Sequence, residues 1–145
     1  MRQGVQTLLA ELGEAACLAL CICELGKPGI PEAEAVGLIL EGMKKGYIDY
    51  DEHDRQNPTN CFVNDRDAFM ELVTGQKGWR STREGPGYKA KPQERLIECW
   101  RWDENVAGKT VPHQHFRLPA WDPIKDARTV RFGRLESWRV FRRAA

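Results

Sequence analysis

Apolar residues in the first half of the chain recur at helical spacing, and those in the second half gather in short β-forming runs. Ala15–Leu25 is densely apolar and is closed by Gly26-Lys27-Pro28-Gly29, which predicts a helix buried on most sides. A second helix is expected to open with Pro31 at its first position. Glu32 and Glu34 then lie near its positive end, Val36, Ile39, Leu40 and Met43 form one stripe, and Lys44-Lys45-Gly46 closes it. The polar stretch Tyr50–Thr59 reads as a loop. Asn64 or Asp65 can cap a short helix that carries Phe69, Leu72 and Val73 and stops at Gly75.

After Gly78 the pattern turns to strands. Leu96–Trp102 is rich in β-formers, polar Asp103–Lys109 reads as the turn that follows, and His113–Leu118 alternates again. Arg128–Phe132 and Leu135–Phe141 are predicted as two strands of a hairpin turning at Gly133-Arg134. Arg83–Tyr88 forms a tight loop ahead of the sheet, and its glycines lack the strand-to-helix context of a phosphate cradle. Helices segregated before an antiparallel sheet define an α+β class.

The 145 residues suit one domain, helical over about 1–77 and sheet-forming over about 78–145. With 41% hydrophobic and 30% charged residues, the chain needs no staple to hold a core. A net charge of +1, from 22 basic and 21 acidic residues, gives no overall pull toward nucleic acid or membrane. The arginines of the last stretch, Arg128, Arg131, Arg134, Arg139, Arg142 and Arg143, read as a solvated face rather than a phosphate track. Five cysteines, an odd count with Cys17, Cys21 and Cys23 in one apolar helix, do not form a secreted disulfide framework. Nothing near Met1 resembles a signal peptide, and Ala15–Leu25 is too short to cross a bilayer, so reduced thiols in the cytoplasm are expected. Oligomeric state is left open.

Candidate chemistry begins at Cys17, at the start of the first helix after Gly13-Glu14-Ala15-Ala16. A helix N-terminus favours the thiolate, and small neighbours leave room for a carbonyl. The competing reading is packing, which suffices for Cys21, Cys23, Cys61 and Cys99. His113 and His115 share one face of a strand, and seven residues after His115 comes Asp122, in Trp121-Asp122-Pro123. A chain reversal at Pro119 would set Asp122 on a neighbouring strand opposite His115, where a carboxylate orients a general base. A zinc site from Cys21-x-Cys23 and His113-x-His115, with Cys61 or Cys99 joining, is the other option. Its spacing is poor, because helix positions i and i+2 do not face each other.

A cysteine opening an early buried helix, then His115-Phe116, then Trp121-Asp122-Pro123, resembles the chain order of papain-like cysteine peptidases. The tail from His115 to Phe141, with Arg128-Thr129-Val130-Arg131, Gly133-Arg134-Leu135 and Arg139-Val140-Phe141, is similar to the C39-like branch and to small phage- and plasmid-borne proteins of that type. Gly85-Pro86-Gly87-Tyr88 is similar as well. The resemblance covers most of the chain, with its specific part in the last third. It implies a papain-like fold and hydrolysis of a peptide or isopeptide bond in a peptide or protein substrate, without a cofactor or metal. Cys17 maps to the nucleophile, His115 to the base and Asp122 to its orienter. Where the family places an oxyanion-stabilising glutamine, about six residues before the cysteine, this chain has Glu11, which when ionised only accepts hydrogen bonds. Gln114, Gln6 or Gln3 would then have to donate. The same departure supports a second function, a non-catalytic binding module such as a phage protein that occupies a host factor.

Overall fold

The computed structural model describes residues 1, 16–54, 56–57 and 59–144. Their order is α1 (Cys17–Gly26), α2 (Glu32–Lys44), α3 (Arg66–Thr74), β1 (Trp79–Glu84), β2 (Arg95–Val106), β3 (Lys109–Arg117), α4 (Arg128–Phe132) and β4 (Arg134–Arg143). The four strands form one antiparallel sheet in the order β1-β4-β2-β3, so β3 and β1 are its edges. The class is α+β, with three helices before the sheet and a fourth inserted between β3 and β4.

Each helix follows from its local chemistry. Every residue of α1 from Cys17 to Cys23 is buried, as expected of a helix apolar all round. It ends at Gly26, where a Cβ would come within 2.8 Å of Val73 Cγ1, so α1 and α3 approach more closely than any larger residue allows. In α2, Pro31 is the extended N-cap residue rather than the first helical one, with Glu32 and Glu34 in the first turn as expected. In α3, the Asp65 carboxylate accepts from Ala68 N at 3.0 Å, and Gly75 closes the helix in the left-handed conformation at φ 68°.

The core joins Leu18, Cys21 and Ile22 of α1 and Phe69 of α3 to Ile97 and Phe141 of the sheet. Each such side chain contributes about 1.5–3 kcal/mol on burial. Helix α1 packs on α3, β3 and β2, while α3 packs on β1.

Two expectations are corrected. Asp103–Lys109 is no turn: β2 continues to Val106, and the reversal is the two residues Ala107 (φ 51°) and Gly108 (φ 80°). Paired positive φ values match the twist of the flanking strands. The polar residues are tolerated in the strand because Asp103 meets Arg101 at 3.0 Å and Glu104 meets Arg128 at 3.5 Å. Arg128–Phe132, expected as a strand, is the short helix α4, and the hairpin at Gly133-Arg134 does not form. Its expected partner, β4, has β1 on one side and β2 on the other, which leaves no vacant ladder there for this segment. It crosses β2 instead, and a Cβ on Gly133 would lie 2.2 Å from the Arg101 carbonyl oxygen and 2.3 Å from that of Thr129. Only glycine fits there.

Candidate active site

The site is built from the end of β3 and the reversal after it. Leu118 N donates to Trp121 O at 2.8 Å and Trp121 N returns a bond to Leu118 O at 3.3 Å, so the chain doubles back through Pro119 and Ala120. Asp122 follows this bridge, outside any longer strand, and its Oδ1 lies 2.7 Å from His115 Nε2. Ile124 N donates to the same oxygen at 2.9 Å, fixing Asp122-Pro123 in a side-chain-closed turn. His115 is 3% exposed and Asp122 8% exposed, so the pair is shielded from water. With a carboxylate as its partner, Nε2 is assigned the proton and Nδ1 keeps its lone pair.

Cys17 is the first residue of α1 and 4% exposed. One turn along is Cys21, on the same helix face. Its thiol is pushed up, first by burial and then by the nearby charges of Cys17, Asp122, Cys23 and Glu98. Helix α1 itself packs on β3. Burial also pushes Cys23 up to about 12 and Cys61 up to about 11, and raises Cys99. None of the five cysteines forms a disulfide.

The remaining candidates are not brought to this pair. His113 shares the strand face of His115 but stacks on Trp102 with ring centroids 5.0 Å apart, its Nε2 3.6 Å from Glu104. Gln114 is exposed, and the pleat turns it to the opposite side of β3 from His115. It does not share the strand face of His115. Glu11, Gln6 and Gln3 lie outside the described residues. Among the described residues, no group of three or more His, Cys, Asp or Glu side chains is arranged to hold a metal ion.

Two features beside His115 were not anticipated. Arg117 Nε donates to Glu98 Oε1 at 2.9 Å while its guanidinium lies over Trp100 at 4.9 Å, and Trp100 Nε1 donates to the same Glu98 oxygen at 2.6 Å. The cross-strand pairs Glu98–Arg117 and Trp100–His115 create this arrangement, and a register known beforehand would have revealed it. The second is a cleft of about 560 Å³ that reaches Asp122 and is lined further by Arg117, Lys125, Asp126 and Arg131. Asp126 sits there with φ 55°, one of three non-glycine residues with positive φ among those described. No helix among the described residues is long and apolar enough to cross a membrane. No family model, curated protein or solved structure matches the chain.

Proposed function

We propose that the chain is a papain-like thiol hydrolase that cleaves a peptide or isopeptide amide. The observation that carries this reading is the buried 2.7 Å bond between His115 Nε2 and Asp122 Oδ1, which leaves Nδ1 as the basic nitrogen. In the proposed reaction, Cys17 Sγ attacks the amide carbonyl carbon while His115 Nδ1 accepts the thiol proton. The tetrahedral oxyanion collapses, the C–N bond breaks, and His115 delivers the proton to the leaving amine. A thioester remains on Cys17. Water, deprotonated by His115, then releases the acid and restores the thiol. Asp122 stabilises the imidazolium throughout and holds its orientation.

Three substitutions test the assignment on a mixed peptide library, with Cys17→Ser as the blank. His115→Ala should abolish both cleavage and the fast alkylation of Cys17, while His113→Ala should leave both. The reverse pattern would transfer the base to His113. Glu11→Gln should raise cleavage if the Glu11 carboxylate faces the oxyanion, since one such donor is worth about 10²–10³ in rate. A separation above about 6 Å between Cys17 Sγ and the nearest imidazole nitrogen, measured in a crystal structure, would remove the nucleophile from its base.

A second reading is favoured by one observation. Cys17 and His115 are both nearly inaccessible, at 4% and 3% exposure, so a substrate carbonyl has little direct approach. A non-catalytic binding module on the same frame, such as a phage protein acting on a host factor, needs no such approach. Cleavage by wild type and Glu11→Gln no faster than by Cys17→Ser would sink the hydrolase reading and put the binding module first.

A further inference from the structure

The cleft beside Asp122 carries charges that the proposed reaction does not use. Its volume of about 560 Å³ lies within the range of about 300–1,000 Å³ common to ligand clefts. Arg117, Lys125 and Arg131 bring three cations to it, and Asp122 and Asp126 bring two carboxylates. Ile124, Ala127 and Val130 supply an apolar part of the wall.

Two of these charges are already committed. Asp122 Oδ1 faces His115 Nε2 and the Ile124 N–H. Arg117 Nε donates to Glu98 Oε1 at 2.9 Å, and its guanidinium lies over the Trp100 ring at 4.9 Å. These contacts orient Arg117 without closing it off. Its side chain is 30% exposed, and the other donors of the planar fork lie on the Nη atoms. Lys125 and Arg131 are exposed, and no ion pair joins either to a carboxylate among the described residues. The uncommitted lining is therefore Lys125 and Arg131 against Asp126, which leaves one cation in excess. A singly charged anion matches it; a phosphomonoester, at about −1.5 to −2, does not.

We propose that this cleft binds a carboxylate of a peptide ligand, with Arg117 as the oriented fork and Lys125 and Arg131 as the flexible charges. A guanidinium grips a planar carboxylate through paired N–H donors, and the stem of an acidic side chain can rest on Ile124 and Val130. Two sources share this chemistry, a glutamate or aspartate side chain and the C-terminus of the peptide. Asp122 borders both the cleft and His115, so the group held there lies beside the scissile bond and not at it. The inference rests on the proposed function for the ligand being a peptide, and it requires no cleavage step.

The test is fluorescence anisotropy of labelled, acetylated short-peptide libraries on the full chain carrying Cys17→Ser. One library fixes a central Glu and ends in an amide, a second fixes Gln and ends in an amide, and a third fixes Gln and ends in a free carboxylate. Acidic residues are left out of the mixed positions. The Glu library should bind about ten- to a hundred-fold more tightly than the amidated Gln library, the ratio expected of hydrogen bonds to a charged group. The same advantage for the third library would identify the chain end as the ligand, and either result upholds the cleft. Lys125→Gln with Arg131→Gln should remove the preference. Arg117→Gln, made with Glu98→Gln so that no buried carboxylate is stranded, should lower it. Arg143→Gln, which removes an exposed guanidinium bonded to the Lys77 carbonyl, should leave it unchanged. If the Arg117 and Glu98 double variant does not fold, the Lys125 and Arg131 pair decides. Equal binding of the three libraries, or a preference left whole by one of the two double variants, would overturn the proposal. A carboxylate preference without cleavage by wild type keeps the cleft and removes the hydrolase; cleavage without that preference does the reverse.

Discussion

His115 and Asp122, seven residues apart, meet at a single carboxylate oxygen that also accepts the Ile124 N–H. That double use ties the orientation of the imidazole to the shape of the turn. Asp122→Ala should therefore do two things. Stability should fall by about 1–3 kcal/mol, the cost of leaving a buried donor unsatisfied, and any hydrolysis should fall with it. Asp122→Asn retains an acceptor oxygen and should recover much of the stability but little of the activity. Urea unfolding read beside the cleavage assay separates the two effects; equal recovery of both would make Asp122 a purely structural residue.

Thiol reactivity should divide the five cysteines. Burial pushes Cys23 up to about 12 and Cys61 up to about 11, and Cys21 and Cys99 are raised as well. Below about pH 7 these four remain protonated and inert toward iodoacetamide. Cys17 should label first, as mass spectrometry of a short time course would read. Earlier labelling at Cys21 would point to local opening of α1 in place of an activated thiol.

The loop before β2 should set part of the acid stability. Glu94 accepts from Lys91 N at 2.8 Å and from the Tyr88 hydroxyl at 2.6 Å, and it pairs with Arg142. These donors, the Lys91 N–H foremost, hold its carboxyl below the usual range. The charged form is thus the one the fold favours. Its contribution is complete above the ordinary glutamate value of about 4.3 and fades as pH falls through the lower folded value. Stability of Glu94→Gln should change less with pH across that acid window than wild type does. Parallel curves for the two proteins would remove Glu94 from the account.

Glycine at 133 should be irreplaceable. A Cβ there would overlap the Arg101 and Thr129 carbonyl oxygens at 2.2 and 2.3 Å, both of them backbone atoms that cannot swing aside. Gly133→Ala should cost more than about 4 kcal/mol, beyond the usual about 0.5–3 for a point change. At Gly75, with φ 68° and no atom within 4 Å of an added Cβ, alanine should cost only about 1–2 kcal/mol. Denaturant midpoints of the two variants make the comparison, and a mild Gly133→Ala would mean that α4 can lift away from β2.

The features legible in the sequence were those governed by neighbours a few residues apart. The stop after Leu25, the Asp65 cap and the Gly75 terminus are local events, and each is found where the residues place it. Asp122 returns to His115 because Pro119-Ala120 reverses the chain within four residues. Pairing between distant segments decided the rest. Arg128–Phe132 carries β-forming Thr129 and Val130, yet both sides of its expected partner β4 are taken by β1 and β2, so the segment coils into α4. Arg139 looked like one more solvated arginine of the last stretch. Its place opposite Arg83 and over Phe116 depends on the register of β4 against β1 and β2, strands that lie dozens of residues apart, and no local pattern encodes that register.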